Sequence, residues 1–227
     1  ISLLIPILCV SRFQLVFAVL LAAFTYISLQ KLFHPGWLFG LFVVMIPFYL
    51  ILTVARSHNI EYLNGIFEMK NASMPIFVSK PYIYIANNYD NFNCLVGALP
   101  GHSFGLKGLF PLWALSGLKF FFPQLINFPI YVDKTELTTL TLFYDSYYDF
   151  GWIGVLLFSC ILGAVAYILV VKLREMRNPL GYLLYAQFAA YLMLSFFTTW
   201  FSNTTTWFYL ILTGIMALFY HLRASRW

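Results

Sequence analysis

Long apolar runs are the feature that most limits what this chain can fold into. About 20 apolar residues in a helix cross the roughly 30 Å hydrocarbon core of a bilayer, and several runs of the chain reach or approach that length. We expect the first run to be the end of a truncated span, so that the chain is a piece of a longer protein. The predicted spans cover residues 1–10 (incomplete), 13–29, 36–54, 151–171, 180–199 and 205–221.

The composition supports a membrane protein and excludes several other classes. Of the 227 residues, 62% are apolar and only 9% are charged, whereas soluble domains are about one quarter charged. The 13 basic side chains are too sparse for a nucleic-acid surface, so no nucleic-acid partner is expected. The three cysteines are too few and too scattered for a disulfide framework or a zinc site. We predict no metal and no cofactor.

Basic residues in the short links between spans give the orientation. Lys172, Arg174 and Arg177 crowd one link, and Arg223 and Arg226 close the chain. Positive charge next to span ends favours the cytoplasm, and these two places agree because two predicted spans separate them.

The fold prediction is therefore an all-α polytopic membrane protein with three segments. A truncated span and two transmembrane helices occupy residues 1–55, and a long external loop occupies 56–149. Three transmembrane helices and a cytoplasmic tail occupy 150–227. An apolar stretch at 108–122 predicts a helix that lies in the membrane interface.

The external loop contains most of the candidate binding residues. Tyr84 and Asn88 lie in an aromatic segment with an amide-rich end, which is typical both of sugar contacts and of an ordinary membrane interface. Arg12 and Arg56 lie at the predicted outer ends of spans, where positive charge is disfavoured. An arginine there either snorkels to the headgroups or binds an anion with its planar fork. Two arginines on the same outer face favour the second interpretation, with a lipid phosphate or pyrophosphate as the bound anion.

Residues 101–105 match the G-x-S-x-G nucleophile elbow of serine hydrolases. That elbow needs a turn from a buried strand into a helix, and no strand precedes Ser103. We therefore predict that Ser103 is not a nucleophile and that the glycines shape a loop. His102, in the same stretch, is a candidate general base.

The segment that enters the third-last span has a distinctive pattern. It contains Tyr-x-Asp-Phe-Gly-x-x-Gly over residues 147–154, and Gly163 follows nine residues later. On its own, this pattern also fits a polar helix cap with Asp149 near the helix N-terminus. Together with Ser11-Arg12 between two spans and the long outer loop, it resembles the polysaccharide polymerase superfamily known as Wzy, or O-antigen polymerase. An arginine followed eleven residues later by glycine, found in some relatives, is absent here.

The resemblance implies a GT-C-like membrane glycosyltransferase. It would join oligosaccharide repeat units carried on undecaprenyl pyrophosphate at the outer face of the bacterial inner membrane. His102 or Asp149 would act as the catalytic base, and Arg12 and Arg56 would bind the pyrophosphate. Tyr84, Asn88 and Tyr148 would contact the substrate. Membrane lipids, a chain-length regulator and a flippase are the implied partners.

Two alternatives stay open at this point. A ligase of the O-antigen type has a similar layout and differs in its acceptor. A flippase or transporter of lipid-linked sugars is the non-enzymatic alternative, although transporters usually carry polar or broken positions at mid-membrane. Here the centres of the predicted spans are apolar and the polar residues gather on one side, which favours chemistry at a membrane surface.

Overall fold

The computed structural model describes residues 12–29, 60–71, 73–175, 178–196 and 198–224, with a few single residues between 36 and 51. All regular secondary structure in this part of the chain is helical. The seven α-helices are α1 (Arg12–Leu29), α2 (Ile60–Ile66), α3 (Ile76–Ala98), α4 (Phe110–Leu115), α5 (Tyr144–Glu175), α6 (Pro179–Met193) and α7 (Thr204–Ala224). Three short 3₁₀ helices lie at Leu118–Phe120, Pro123–Leu125 and Trp200–Ser202.

Two of these helices contain stretches that are long and apolar enough to cross a membrane. They are Tyr144–Lys172 in α5 and Thr204–Arg223 in α7, and Gln14–Leu29 in α1 is apolar but shorter. Most of the large side chains of α5 and α7 are exposed apolar groups, as expected of helices that face lipid. The prediction of an all-helical chain is confirmed for the described residues, and helices long and apolar enough to cross a membrane lie at the predicted spans 151–171 and 205–221. The full polytopic GT-C-like arrangement stays a prediction.

Helix α6 is shorter than its predicted span of 180–199. Its 15 residues extend only roughly 22 Å at 1.5 Å per residue. The helix ends just before residues whose carbonyls accept hydrogen bonds from other segments. The N–H of Leu142 donates to the carbonyl of Ser195, and the side chain of Asn88 donates to the carbonyl of Phe196.

The chain divides into two compact units, Ile1–Ile83 and Tyr84–Trp227. In the described part of the first unit, α1 is an apolar helix that begins at Arg12, and α2 is a single short helix. The amide of Asn64 donates to the carbonyl of Met74 at 2.8 Å and closes the turn after α2. The predicted span at 36–54 lies largely outside the described residues.

In the second unit, α6 packs against both α5 and α7, and α4 packs against α7. Two polar contacts fix α6 to α7. Gln187 donates to the hydroxyl of Thr213 at 3.0 Å, and Asn178, which caps the start of α6, donates to the carbonyl of Ala217 at 2.7 Å. Because an unpaired polar group is costly in an apolar environment, such pairs help to specify one register between the two helices.

The predicted external loop is itself helical in part, since it contains the 23-residue helix α3. The amides in the second half of α3 hold an extended segment against the helix. Asn87 and Asn91 both donate to the carbonyl of Leu137, and Asn91 also donates to the carbonyl of Thr139. The amide-rich sequence is therefore used, in these positions, to anchor the chain that leads to α5.

The segment predicted as one interfacial helix at 108–122 is broken into α4 and the 3₁₀ helix Leu118–Phe120. The break is at Gly117, whose φ of 77° lies in the left-handed region. That region favours glycine and ends a right-handed helix. The apolar character of the segment is retained in exposed Leu and Phe side chains.

Candidate functional site

A break in helix α5 organises the candidate site. Phe150 and Gly151 have non-helical backbone angles, with φ of 61° at Gly151. The carbonyls of Tyr148 and Asp149 lie just before the break, and they accept hydrogen bonds from the N–H groups of Ser103 and Phe104 at 3.2 and 3.1 Å. The loop that contains Ser103 and Phe104 thus supplies hydrogen-bond donors at the break, where the helix itself supplies none.

The carboxylate of Asp149 fastens the same loop. One oxygen accepts from the hydroxyl of Ser103 and from the N–H of Lys107 at 3.1 Å. The other oxygen accepts from the N–H of Gly108 at 2.7 Å. We call these three donors and the carboxylate the Asp149 cradle. Asp149 is only 3% exposed, so the cradle replaces the hydration of a buried charge.

Glycine at position 108 is part of this geometry. A Cβ atom there would lie 2.6 Å from Oδ2 of Asp149, the oxygen that accepts from Gly108. Carbon and oxygen cannot approach so closely unless one of them is displaced. The cradle therefore requires both the carboxylate of Asp149 and a residue without a side chain at position 108.

His102 lies beside the helix break with its ring exposed. Its Nδ1 is 3.3 Å from the carbonyl oxygen of Tyr148. Its Cε1 and Nε2 atoms each lie 3.1 Å from the position that a Cβ atom on Gly151 would take. A carbonyl at Nδ1 favours the tautomer with hydrogen on Nδ1, which leaves Nε2 as the basic nitrogen. The arrangement places the basic nitrogen beside Gly151 at the helix break.

Lys107 is buried among groups that neutralise it. Its side chain is 10% exposed, and its Nζ lies 3.7 Å from a carboxylate oxygen of Asp145. The Nζ also lies 4.3 Å from the ring centroid of Tyr148 and 5.3 Å from that of Tyr144, within the range of cation–π attraction. Burial lowers the pKa of the Lys107 ammonium from its ordinary value of 10.5, and the charges of Asp145 and Asp149 oppose that shift.

A cavity of about 680 Å³ opens next to this cluster. Its walls are apolar residues of α5, α6 and α7, among them Val165, Leu169 and Leu184. Asp145 and Asp149 also line it, together with the hydroxyl residues Ser146 and Ser202. From Gly154 to Leu169 the lining follows α5 for roughly 22 Å at 1.5 Å per residue. The cavity is thus a long apolar groove with a small polar part, a pattern typical of ligand sites of this size.

The predicted site residues are only partly brought together. His102, Tyr148 and Asp149 meet at the helix break. Asn88 lies within α3 and is fully buried, and both of its donated bonds go to backbone carbonyls, those of Tyr84 at 2.5 Å and Phe196 at 2.7 Å. The side chain of Tyr84 is exposed.

The two predicted phosphate-binding arginines lie outside what the structure describes. The backbone of Arg12 begins α1, but its side chain is not among the described groups, and Arg56 lies outside the described residues altogether. Their assignment stays a prediction.

Sequence reasoning missed Lys107 and Asp145 as members of the site. One signal was present, since Asp145 precedes Asp149 by four residues and therefore lies on the same helix face. Nothing in the pattern indicated that Lys107 would meet that face. The contact between Ser103 and Asp149 also explains the G-x-S-x-G match, because its serine here is a hydrogen-bond donor to a structural carboxylate.

In the part of the chain that the structure describes, no group of three or more His, Cys, Asp or Glu side chains is arranged to hold a metal ion. The chain matches no family model, no curated protein and no solved structure.

Proposed function

We propose that this chain is part of a membrane glycosyltransferase that polymerises oligosaccharide repeat units carried on undecaprenyl pyrophosphate. The observation that supports this most is the groove of about 680 Å³, which has apolar walls and a polar part with two buried carboxylates. A polyprenyl carrier is a long hydrocarbon with a polar head. Its hydrocarbon chain fits apolar walls of the kind that α5 and α7 provide.

The proposed reaction is a glycosyl transfer between two lipid-linked sugars. A hydroxyl oxygen of the acceptor attacks the anomeric carbon of the donor, and a base takes the hydroxyl proton. The bond between that carbon and the pyrophosphate oxygen breaks, and undecaprenyl pyrophosphate leaves with the bonding electrons. Groups aimed at the developing negative charge lower the barrier of such a step.

His102 is the better-placed base of the two candidates. His102 is an exposed residue, whereas both carboxylate oxygens of the buried Asp149 already accept hydrogen bonds within the cradle. Asp149 then acts as a positioning residue, since it holds the loop that contains His102. The carboxylates at the polar part of the groove repel a pyrophosphate, so the leaving group requires cations from elsewhere. Arg12 and Arg56 stay the predicted pyrophosphate-binding residues.

The test of the function is the length distribution of lipid-linked glycans at the outer face of the inner membrane. Cells that lack the intact gene are compared with cells that carry it. Loss of the long glycans with accumulation of single repeat units at the outer face supports a polymerase. Normal lengths that fail to reach their final acceptor indicate a ligase, and repeat units retained inside indicate a flippase. Either of the last two results would refute the proposal.

A pair of tryptophan variants tests the groove. Val165→Trp fills part of it, because Val165 lines its wall, whereas Ile168→Trp adds the same bulk to an exposed side of α5. We expect shortened glycans with the first variant and normal glycans with the second, at equal protein levels. Equal lengths in both would show that the groove does not hold the carrier.

A further inference from the structure

Three consecutive exposed phenylalanines lie at the end of the 3₁₀ helix Leu118–Phe120 and directly after it. Phe120, Phe121 and Phe122 are 77%, 78% and 56% exposed, and we call them the phenylalanine tip. The neighbouring Lys119 places its Nζ 5.1 Å from the ring centroid of Phe120. Contiguous exposed apolar groups of this kind mark an interaction surface rather than ordinary solvent-facing chain.

The backbone N–H groups of the phenylalanine tip all donate hydrogen bonds within the same short segment. The N–H of Phe120 donates to the carbonyl of Gly117, and the N–H groups of Phe121 and Phe122 both donate to the carbonyl of Leu118. A segment whose N–H groups are paired internally can enter an apolar environment without leaving donors unpaired. The side chains therefore point outward from a locally bonded turn.

The position of the tip relates it to the membrane. Helix α4, which leads into the tip, packs against α7. Leu109, just before α4, lines the groove together with Trp207 and Leu210, near the start of α7. The loop before Leu109 is held by Asp149, near the start of α5. Helix α4 thus lies near the starts of both candidate spans, and we expect that end to be at one membrane surface.

We propose that the phenylalanine tip inserts into the interfacial region of the lipid leaflet at which α5 and α7 begin. The rings enter the boundary between headgroups and acyl chains, and the ammonium of Lys119 stays at the level of the lipid phosphates. This is the arrangement of interfacial segments that combine aromatic and aliphatic groups with basic ones. The proposal does not depend on the proposed glycosyltransferase activity.

Site-directed fluorescence in proteoliposomes tests the insertion. The native cysteines at positions 9, 94 and 160 are replaced, and single cysteines labelled with bimane are placed at Phe121, at the exposed loop residue Glu136 and at the exposed α5 residue Leu156. Phosphatidylcholine vesicles carry nitroxide quenchers at a shallow or a deep acyl position, and iodide is the aqueous quencher. The variants are first shown to unfold at the same temperature as the parent.

We expect the label at position 121 to emit at shorter wavelength than that at 136 and to lose more intensity to the shallow quencher than to the deep one. Position 136 should respond to iodide, and position 156 should respond most to the deep quencher. Iodide quenching at 121 equal to that at 136 would overturn the proposal. Protection at 121 from all quenchers, with release on dilution of the protein in the vesicles, would show a second copy as the occupant and would overturn it as well.

Discussion

Removal of the Asp149 carboxylate should destabilise the second unit strongly. In Asp149→Ala, the N–H groups of Lys107 and Gly108 lose their acceptor while they stay largely enclosed. A buried donor left unsatisfied costs about 1–3 kcal/mol. The hydroxyl of Ser103 can rotate toward another acceptor, so we do not count it. Two donors without an acceptor therefore predict a decrease of about 2–6 kcal/mol in the free energy of unfolding.

The measurement is denaturant unfolding of the purified protein in detergent, followed by tryptophan fluorescence. Asp149→Asn retains one acceptor oxygen and should lose about half as much as the alanine variant. Asp90→Ala is the matched control, because Asp90 is exposed and its removal should leave the unfolding free energy unchanged.

Hydrogen exchange makes the test specific to the cradle. The amides of Lys107 and Gly108 should exchange slowly in the parent protein and rapidly in Asp149→Ala, even at low denaturant. If Asp149→Ala unfolded at the same denaturant concentration as Asp90→Ala and both amides stayed protected, the cradle would not be a stabilising unit and the reasoning would be wrong.

Three further variants probe the same region by the same unfolding measurement. Gly108→Ala should be destabilising because its Cβ meets the carboxylate of the cradle, whereas Gly163→Ala, with open space around it and a helical position, should be neutral or slightly stabilising. Ser103→Ala should decrease the free energy of unfolding by about 1 kcal/mol and should not abolish glycan synthesis. A complete loss of synthesis at normal protein levels would indicate that Ser103 is a nucleophile after all. Lys107→Met should cost about 3–5 kcal/mol because it leaves Asp145 buried without its cation. Since burial lowers the pKa of Lys107 below 10.5, the parent should lose stability as the pH falls from that value through the folded pKa, and the methionine variant should lack this slope.

The helices that sequence reasoning placed correctly are those whose signal is local. The runs that became α5 and α7 are apolar over whole helices, and hydropathy alone marks them. Helix α3 was harder, since Pro81 lies within it and amides fill its second half, and both features are more frequent in loops. The amides proved compatible with a helix because their hydrogen bonds go outward to a neighbouring segment.

The candidate site was predictable only in some of its residues, and their roles were not predictable. His102 and Asp149 were selected by residue type and surroundings, and they do meet at the helix break. The cradle, however, joins Asp149 to residues more than 40 positions earlier. No periodicity or spacing encodes a contact of that range, and the burial of Lys107 beside two carboxylates arises from the same long-range packing.

The hydrogen bonds between residues 103–104 and 148–149 also set an order of events during synthesis. Ser103 is made 46 residues before its acceptor Asp149, so the loop from 101 to 108 lacks its contacts with Tyr148 and Asp149 until the start of α5 has left the ribosome. A nascent chain that stops at residue 143 should therefore be cleaved by protease within this loop, and one extended beyond residue 175 should be protected there. The segment that folds the loop is the first part of α5, whose continuation is long and apolar enough to enter the membrane. The loop therefore reaches its final conformation only after the start of α5, to which it is hydrogen-bonded, has been synthesised.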